Sequence, residues 1–318
     1  MTSRVLLVVC ALGSGLAAAL PRPALAGRTA RGTPPALDER ALGGGVVRLR
    51  SPASPMIFLP ASSFLMGSSP TDVLDATADC AKQPLAHLCS ESLFSNELAQ
   101  HRVTLSAYWL DRHEVTVADY RRCVELRRCD APPFSQGGRR FEDSRFPVSL
   151  VTFEDAERYC QFRGARLPTE AEYERAARGA EGRRYPWGNL FNAHVANHGR
   201  LGLDTTDDVD GYAELAPVGA LPAGRTREGF LDLAGNVAEW TADRYAPGYP
   251  EGDAIDPRGP TSPTASGERV VRGGHYAQAA PWLRGAARSA ADPGVRRPHI
   301  GFRCARSAVR REAKLGDE

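Results

Sequence analysis

The 318-residue chain balances 40 Lys+Arg against 38 Asp+Glu for a formal net charge of +2, so charge offers no reason to expect a nucleic-acid partner. A hydrophobic fraction of 42% and a charged fraction of 25% are ordinary for a globular protein with room for one large core or two modest ones. With 31 glycines and 24 prolines, turn formers are too abundant for a helical bundle, and a loop-rich fold is expected.

The first 26 residues have the layout of a cleavable export signal. "MTSR" gives a positive start, "VLLVVCALGSGLAAAL" an apolar stretch, and "ALAG" a small-residue cleavage site after Ala26. A membrane anchor is the weaker alternative, because the apolar run is short and broken by glycines. Residues 27–51 mix Gly, Pro and charge without periodicity and read as a flexible leader. No later segment is apolar enough to span a bilayer, so the mature chain is expected to be exported, to the periplasm or beyond.

The folded part is expected over 52–306. "MIFLPASSFLMGS" alternates apolar residues and suggests a hairpin, 70–100 reads as an insertion loop, and "HRVTLSAYWLDRHEVTV" resumes extended structure. Three helices follow. Thr116 caps the first, with Asp119 reaching back and Val117, Tyr120 and Val124 on one face. The second runs over about 153–163 and places Cys160 beside Phe153 and Ala156. Thr169 and Glu172 form a capping box on the third, which Gly179 ends in a left-handed conformation. From 180 onward the sequence is short strands, turns and acidic loops, and 307–318 is a charged tail. No internal repeat is present.

Removal of Cys10 with the signal leaves six cysteines, an even number that in an exported chain points to disulfides. Cys80 and Cys89 bracket a polar insertion, Cys123 and Cys129 bracket a helix end, and Cys160 and Cys304 remain to close a long loop. Zinc is the competing use of these residues, but no C-x-x-C or His pair has suitable spacing.

The ordered blocks "FLMGS", "RLPTEAEYE", "YPWGN", "GNVAEW", "RVVRGGHY" and "GFRCA" resemble the formylglycine-generating (sulfatase-modifying factor) family over residues 56–306. The resemblance implies a single α+β domain of the C-type-lectin-like kind, low in regular secondary structure, with Cys160–Cys304 as a structural disulfide. It also implies two Ca²⁺ sites. Side chains of Asn197 and Asp210 with backbone oxygens of His198 and Tyr212 would form one. Asp232 and Glu239 with carbonyls of Gly235 and Val237 would form the other. Mixed carboxylate, amide and carbonyl oxygens suit a hard cation. An EF-hand is excluded, since aligning "DVDG" puts Thr206 and Pro217 at ligand positions.

Catalytic members of the family hold Cu(I) on two cysteines shortly after "RGGS" and oxidise a substrate cysteine. Here Gln278 stands at the first position and Trp282–Leu283 near the second, and residues 161–303 contain no cysteine. A glutamine amide is no substitute for a thiolate toward Cu(I). The family serine is His275, and the first tryptophan of "GNVWEW" is Ala238. Copper and the oxidase activity are therefore not expected, and no catalytic residue is assigned. His275, Tyr276, Gln278, Trp282, Arg296 and Arg297 are instead expected to contact a protein, peptide or glycan ligand, since aromatic and arginine side chains are common recognition anchors. Arg284 and Arg288 are read as structural. An active oxidase working by another route and a structural envelope component are the alternatives.

Overall fold

Each helix begins at a side-chain cap that the local sequence encodes. The computed structural model describes residues 54–134, 139–200, 208–260 and 267–308. The expected signal segment 1–26, the leader 27–51 and most of the tail lie outside these. Ser69 opens α1 (Pro70–Cys80): its hydroxyl accepts from Asp72 N–H, while the Asp72 carboxylate accepts from Ser69 N–H at 2.8 Å. The stretch expected as an insertion loop thus contains an 11-residue helix. A Ser-Pro-x-Asp start and apolar Val73, Ala76 and Cys80 on one buried face account for it.

In α2 (Val117–Glu125) the buried face is Val117, Tyr120 and Cys123, and the Asp119 carboxylate accepts from the Thr116 hydroxyl. Reciprocal capping boxes start α3 (Phe153–Phe162) from Thr152 and Asp155, and α4 (Glu170–Arg178) from Thr169 and Glu172. Gly179 ends α4 with φ +69° but ψ 178°, so its positive φ is as expected while its ψ is extended rather than helical.

All nine residues of α4 are buried although five of them are charged. Burial of charge requires partners, and α4 has them. Glu170 is held by Arg288 at 2.7 Å through both oxygens, Glu172 by Arg166, and Glu174 by Arg178 and Arg272. The helix is a polar axle around which the sheets are set.

The strands form three small sheets. β1 (Met56–Leu59), β4 (Tyr108–Asp111) and β10 (Ala305–Ser307) make the first, in the order β1-β4-β10. β2 (Ser62–Met66), β3 (His101–Leu105) and β6 (Ala254–Ile255) make the second. In the third, β8 (Arg288–Ala291), β7 (Arg269–Arg272), β5 (Ala238–Arg244) and β9 (Ile300–Gly301) lie in that order. The expected hairpin over 56–66 does not form. Met56 pairs with Asp111 and Ser62 with Leu105, so β1 and β2 diverge at Pro60 into different sheets.

The result is an α+β domain with short elements and long connections, as the family resemblance implied. Disulfides join Cys80–Cys89, Cys123–Cys129 and Cys160–Cys304. The last ties α3 to the segment just before β10, inside the larger apolar cluster with Tyr159, Trp240 and Phe302. Among the described residues no helix is long and apolar enough to cross a membrane.

Candidate functional site

The four-stranded sheet positions the segment that carries the expected ligand contacts. β7 delivers "RGG" to its end, where Gly274 has φ +67° and a Cβ would lie 2.7 Å from the Trp282 carbonyl. Only glycine makes that close approach, and it lets the chain fold back over the sheet. A cavity of about 240 Å³ results, with Ala238 of β5, Val271 of β7 and Ile300 of β9 among its lining residues.

Four of the six expected contacts line this cavity: His275, Gln278, Trp282 and Arg297. Trp282 is steadied by Phe94, ring centroids 5.4 Å apart. Tyr276 faces the opposite way and is 6% exposed within the apolar core. Arg296 is tied to α3, 2.6 Å from Asp155 and 3.0 Å from the Leu150 carbonyl. Neither of these two lines the cavity. Arg284 and Arg288 are structural, each gripping a buried glutamate, Glu97 and Glu170, through two hydrogen bonds.

His299 completes the cavity and stacks on His275 with centroids 4.0 Å apart and planes 24° from parallel. The His275 Nδ1 accepts from Ala277 N–H, which places the ring proton on Nε2. Burial, then His299 and Arg297, press the His275 pKa down to about 3, and burial with Arg297 presses His299 down to about 4. Both rings are neutral near pH 7. Ala238 and His275 both line this open space.

Neutral histidines whose folded pKa is depressed stabilise the fold above the unfolded-state pKa near 6.5 and cease to do so as pH falls toward 3–4. Stability should therefore drop between pH 6.5 and 4, by at most about 1.4 kcal/mol per pH unit for each ring and by less with solvent screening. Urea midpoints across this range should fall more steeply for the native chain than for His275→Gln/His299→Gln. Equal slopes would show that the rings protonate freely in the fold.

The loops expected to hold calcium meet behind the "GNVAEW" turn. Asp210 accepts from both His198 N–H and Tyr212 N–H at 2.9 Å, which brings three residues of the first set together. Asn197 donates to the Glu214 carbonyl and to Asn236, leaving its own Oδ1 buried without a partner. Part of this acidic loop, 201–207, lies outside the described residues.

In the second set, Glu239 receives two hydrogen bonds of 2.7 Å from Arg303, and Asp232 accepts from Gly219 N–H at 2.6 Å. Glu114, which the sequence did not single out, joins them. It is fully buried, accepts from Asn236 and faces the Asp232 carboxyl. Burial raises all three carboxyl pKa values, and Asp232 and Glu239 push Glu114 further. Three buried carboxyls thus share one guanidinium. Among the described residues no three His, Cys, Asp or Glu side chains are grouped for metal binding, so either site would depend on amide and carbonyl oxygens as well.

Residues 47–308 match the family described as sulfatase-modifying factor enzyme 1-like domain. The chain is 38% identical to the formylglycine-generating enzyme of Mus musculus over 171 residues, covering 51% of this chain and 44% of that one. It is also 38% identical, over 190 residues, to the inactive C-alpha-formylglycine-generating enzyme 2 of Mus musculus, covering 58% of this chain and 56% of that one. The chain spans about half the length of these curated relatives. The solved structure of PvdO from Pseudomonas aeruginosa superposes with a TM-score of 0.59 at 25% identity, covering 80% of this chain and 94% of that one. Equal identity to a relative named for the activity and to one named inactive means that similarity alone does not separate the two outcomes.

Proposed function

The chain belongs to the sulfatase-modifying factor enzyme 1-like family, and from that premise we propose that it is an exported, calcium-stabilised member that binds a protein, peptide or glycan and does not form formylglycine. The carrying observation is the lining of the 240 Å³ cavity. Gln278, His275, His299 and Trp282 surround it, and no thiol does. All cysteines among the described residues are in disulfides. A Cu(I) ion held by two thiolates has no ligands in such a site.

What remains favours recognition. Among the described residues no carboxylate lines the cavity; Arg297 contributes a positive charge beside Arg288, which Glu170 neutralises, and the Gln278 amide and the imidazole N–H groups are donors. An acceptor-rich ligand, whether a peptide carboxylate or a hydroxyl-bearing glycan, suits these groups. Isothermal titration against a panel of acidic, neutral and basic peptides and of oligosaccharides provides the test. A binder should lose about tenfold in affinity, or ~1.4 kcal/mol, on Gln278→Ala or Arg297→Ala. Tyr276→Phe should leave it unchanged. Binding indifferent to all three would place recognition elsewhere.

Export is supported by the three disulfides, which persist in oxidising compartments. The signal segment itself lies outside the described residues. Calcium is supported by the orphaned Asn197 Oδ1, and by the excess of buried acid over base around Arg303. Asn197, Asp210 and the carbonyls of His198 and Tyr212 would hold one ion. Asp232, Glu239 and the carbonyls of Gly235 and Val237 would hold the other, with Glu114 alongside. Bound ions would stiffen the loops behind the cavity. Excess EGTA should lower the melting temperature by several degrees, and calcium should restore it. An unchanged melting curve would count against both sites.

A further inference from the structure

We propose that the cleft at the N-terminus of α4 is a second binding site, which shares only the wall residue Arg288 with the first, for a small organic ammonium ion with an apolar body. The cleft encloses about 520 Å³, in the range of small-ligand pockets. Its walls include Pro247, Pro250, Pro257, Pro260 and Met66, with the ring of Tyr249. Proline walls are stiff, so little ordering entropy opposes occupancy by an apolar group.

One end of the cleft is acidic. Asp243 is 3% exposed and lines it. Its Oδ2 accepts from Glu170 N–H at 2.8 Å, and its Oδ1 has no hydrogen bond among the described residues. Gly259 keeps that oxygen open: a Cβ there would stand 3.1 Å from Oδ1 and 2.9 Å from the Asp243 Cβ.

The other charged groups at the cleft are already engaged. Arg288 is taken by Glu170 and by the carbonyls of Asn96 and Ala246, and Tyr249 donates to Glu170 at 3.0 Å. His101 faces the Ala99 carbonyl through Nδ1 and packs its ring on Tyr249. Glu172, held by Arg166, adds a further negative field on α4. Arg269 on β7 spends a hydrogen bond on the Ala242 carbonyl. Asp243 is left as the carboxyl without a cation, and an incoming ammonium would supply one.

Burial and Glu170 lift the Asp243 pKa to about 7. A cation binds the ionised form, so below pH 7 its arrival displaces a proton. Affinity should fall roughly tenfold per pH unit below that point and level off above it.

Titration calorimetry with n-hexylamine, n-hexanol and hexanoate as probes tests the site. Hexylamine should bind, hexanol at least tenfold more weakly, and hexanoate not at all. Proton release should accompany amine binding at pH 6 and vanish by pH 8.5. Asp243→Asn keeps an oxygen for the Glu170 N–H cap and should lose at least tenfold in amine affinity. Ala246→Trp, which fills the cleft without touching the carboxyl, should lose binding as well. Equal binding of amine and alcohol, or undiminished amine binding by folded Asp243→Asn, would overturn the proposal.

Discussion

Replacing Arg303 with methionine is expected to cost about 3–5 kcal/mol of folding stability, the usual consequence of removing one partner of a buried ion pair. Arg303 is fully buried and its guanidinium does several jobs at once. It grips both oxygens of Glu239 and donates to the carbonyls of Asp111, Arg112, Leu231 and Asp232. Without it, three buried carboxyls would face each other without their shared guanidinium, and four carbonyls would lose a donor. Denaturant midpoints measured with constant slope give the loss. Glu239→Gln added to Arg303→Met should recover part of it, because a neutral amide does not need the guanidinium. A loss below about 1 kcal/mol in the single variant would mean that water reaches this cluster and the pair is not desolvated.

Opening the Cys160–Cys304 bridge by a double alanine substitution should cost a similar amount. The two residues are 144 apart in sequence, and closing a loop of that length removes about 5 kcal/mol of unfolded-state entropy in the chain-entropy model. Both sulfurs lie fully buried in the larger apolar cluster, so the two truncations also remove packing. The Cys80–Cys89 bridge spans a sequence separation of only nine at the end of α1, and its loss should be smaller. Melting curves of the two double variants compare them directly. If the short bridge proved the more costly, loop entropy would not be the governing effect.

Local signals in the sequence carried the helices. Thr116 and Thr169 each cap a helix whose length follows from the apolar spacing that comes after it, and the 153–162 helix followed from its spacing, with its Thr152 cap seen only in the structure. Ser69 carries the same signal, but a flanking polar and cysteine-containing stretch hid it inside an apparent loop. Strand pairing was not legible, because the partners are remote. β1 meets β4 some 50 residues on, and β10 joins them from near the C-terminus. An alternating run such as 56–66 specifies strands without specifying which strand lies alongside.

The site divides in the same way. That residues 161–303 hold no cysteine could be read directly, since it needs only identity and order. Which neighbours face the cavity was not visible. A tight turn through two glycines of positive φ sends Tyr276 inward while His275 and Gln278 face the cavity, and adjacent Arg296 and Arg297 split between an ion pair and the lining. Glu114 and Asp243 escaped notice because an acid in an extended stretch ordinarily reads as solvated. Their burial depends on segments more than 70 residues away.

Among the described residues no thiol reaches the cavity, and one assay tests the functional consequence most directly. The purified chain, reconstituted with Cu(I) and supplied with oxygen and reductant, is incubated with a peptide bearing a C-x-P-x-R sequence, and the product is read by mass spectrometry. The account predicts unchanged cysteine at every time point. Accumulation of the aldehyde at a rate proportional to protein concentration, and abolished by substituting a cavity residue such as His275, would contradict it.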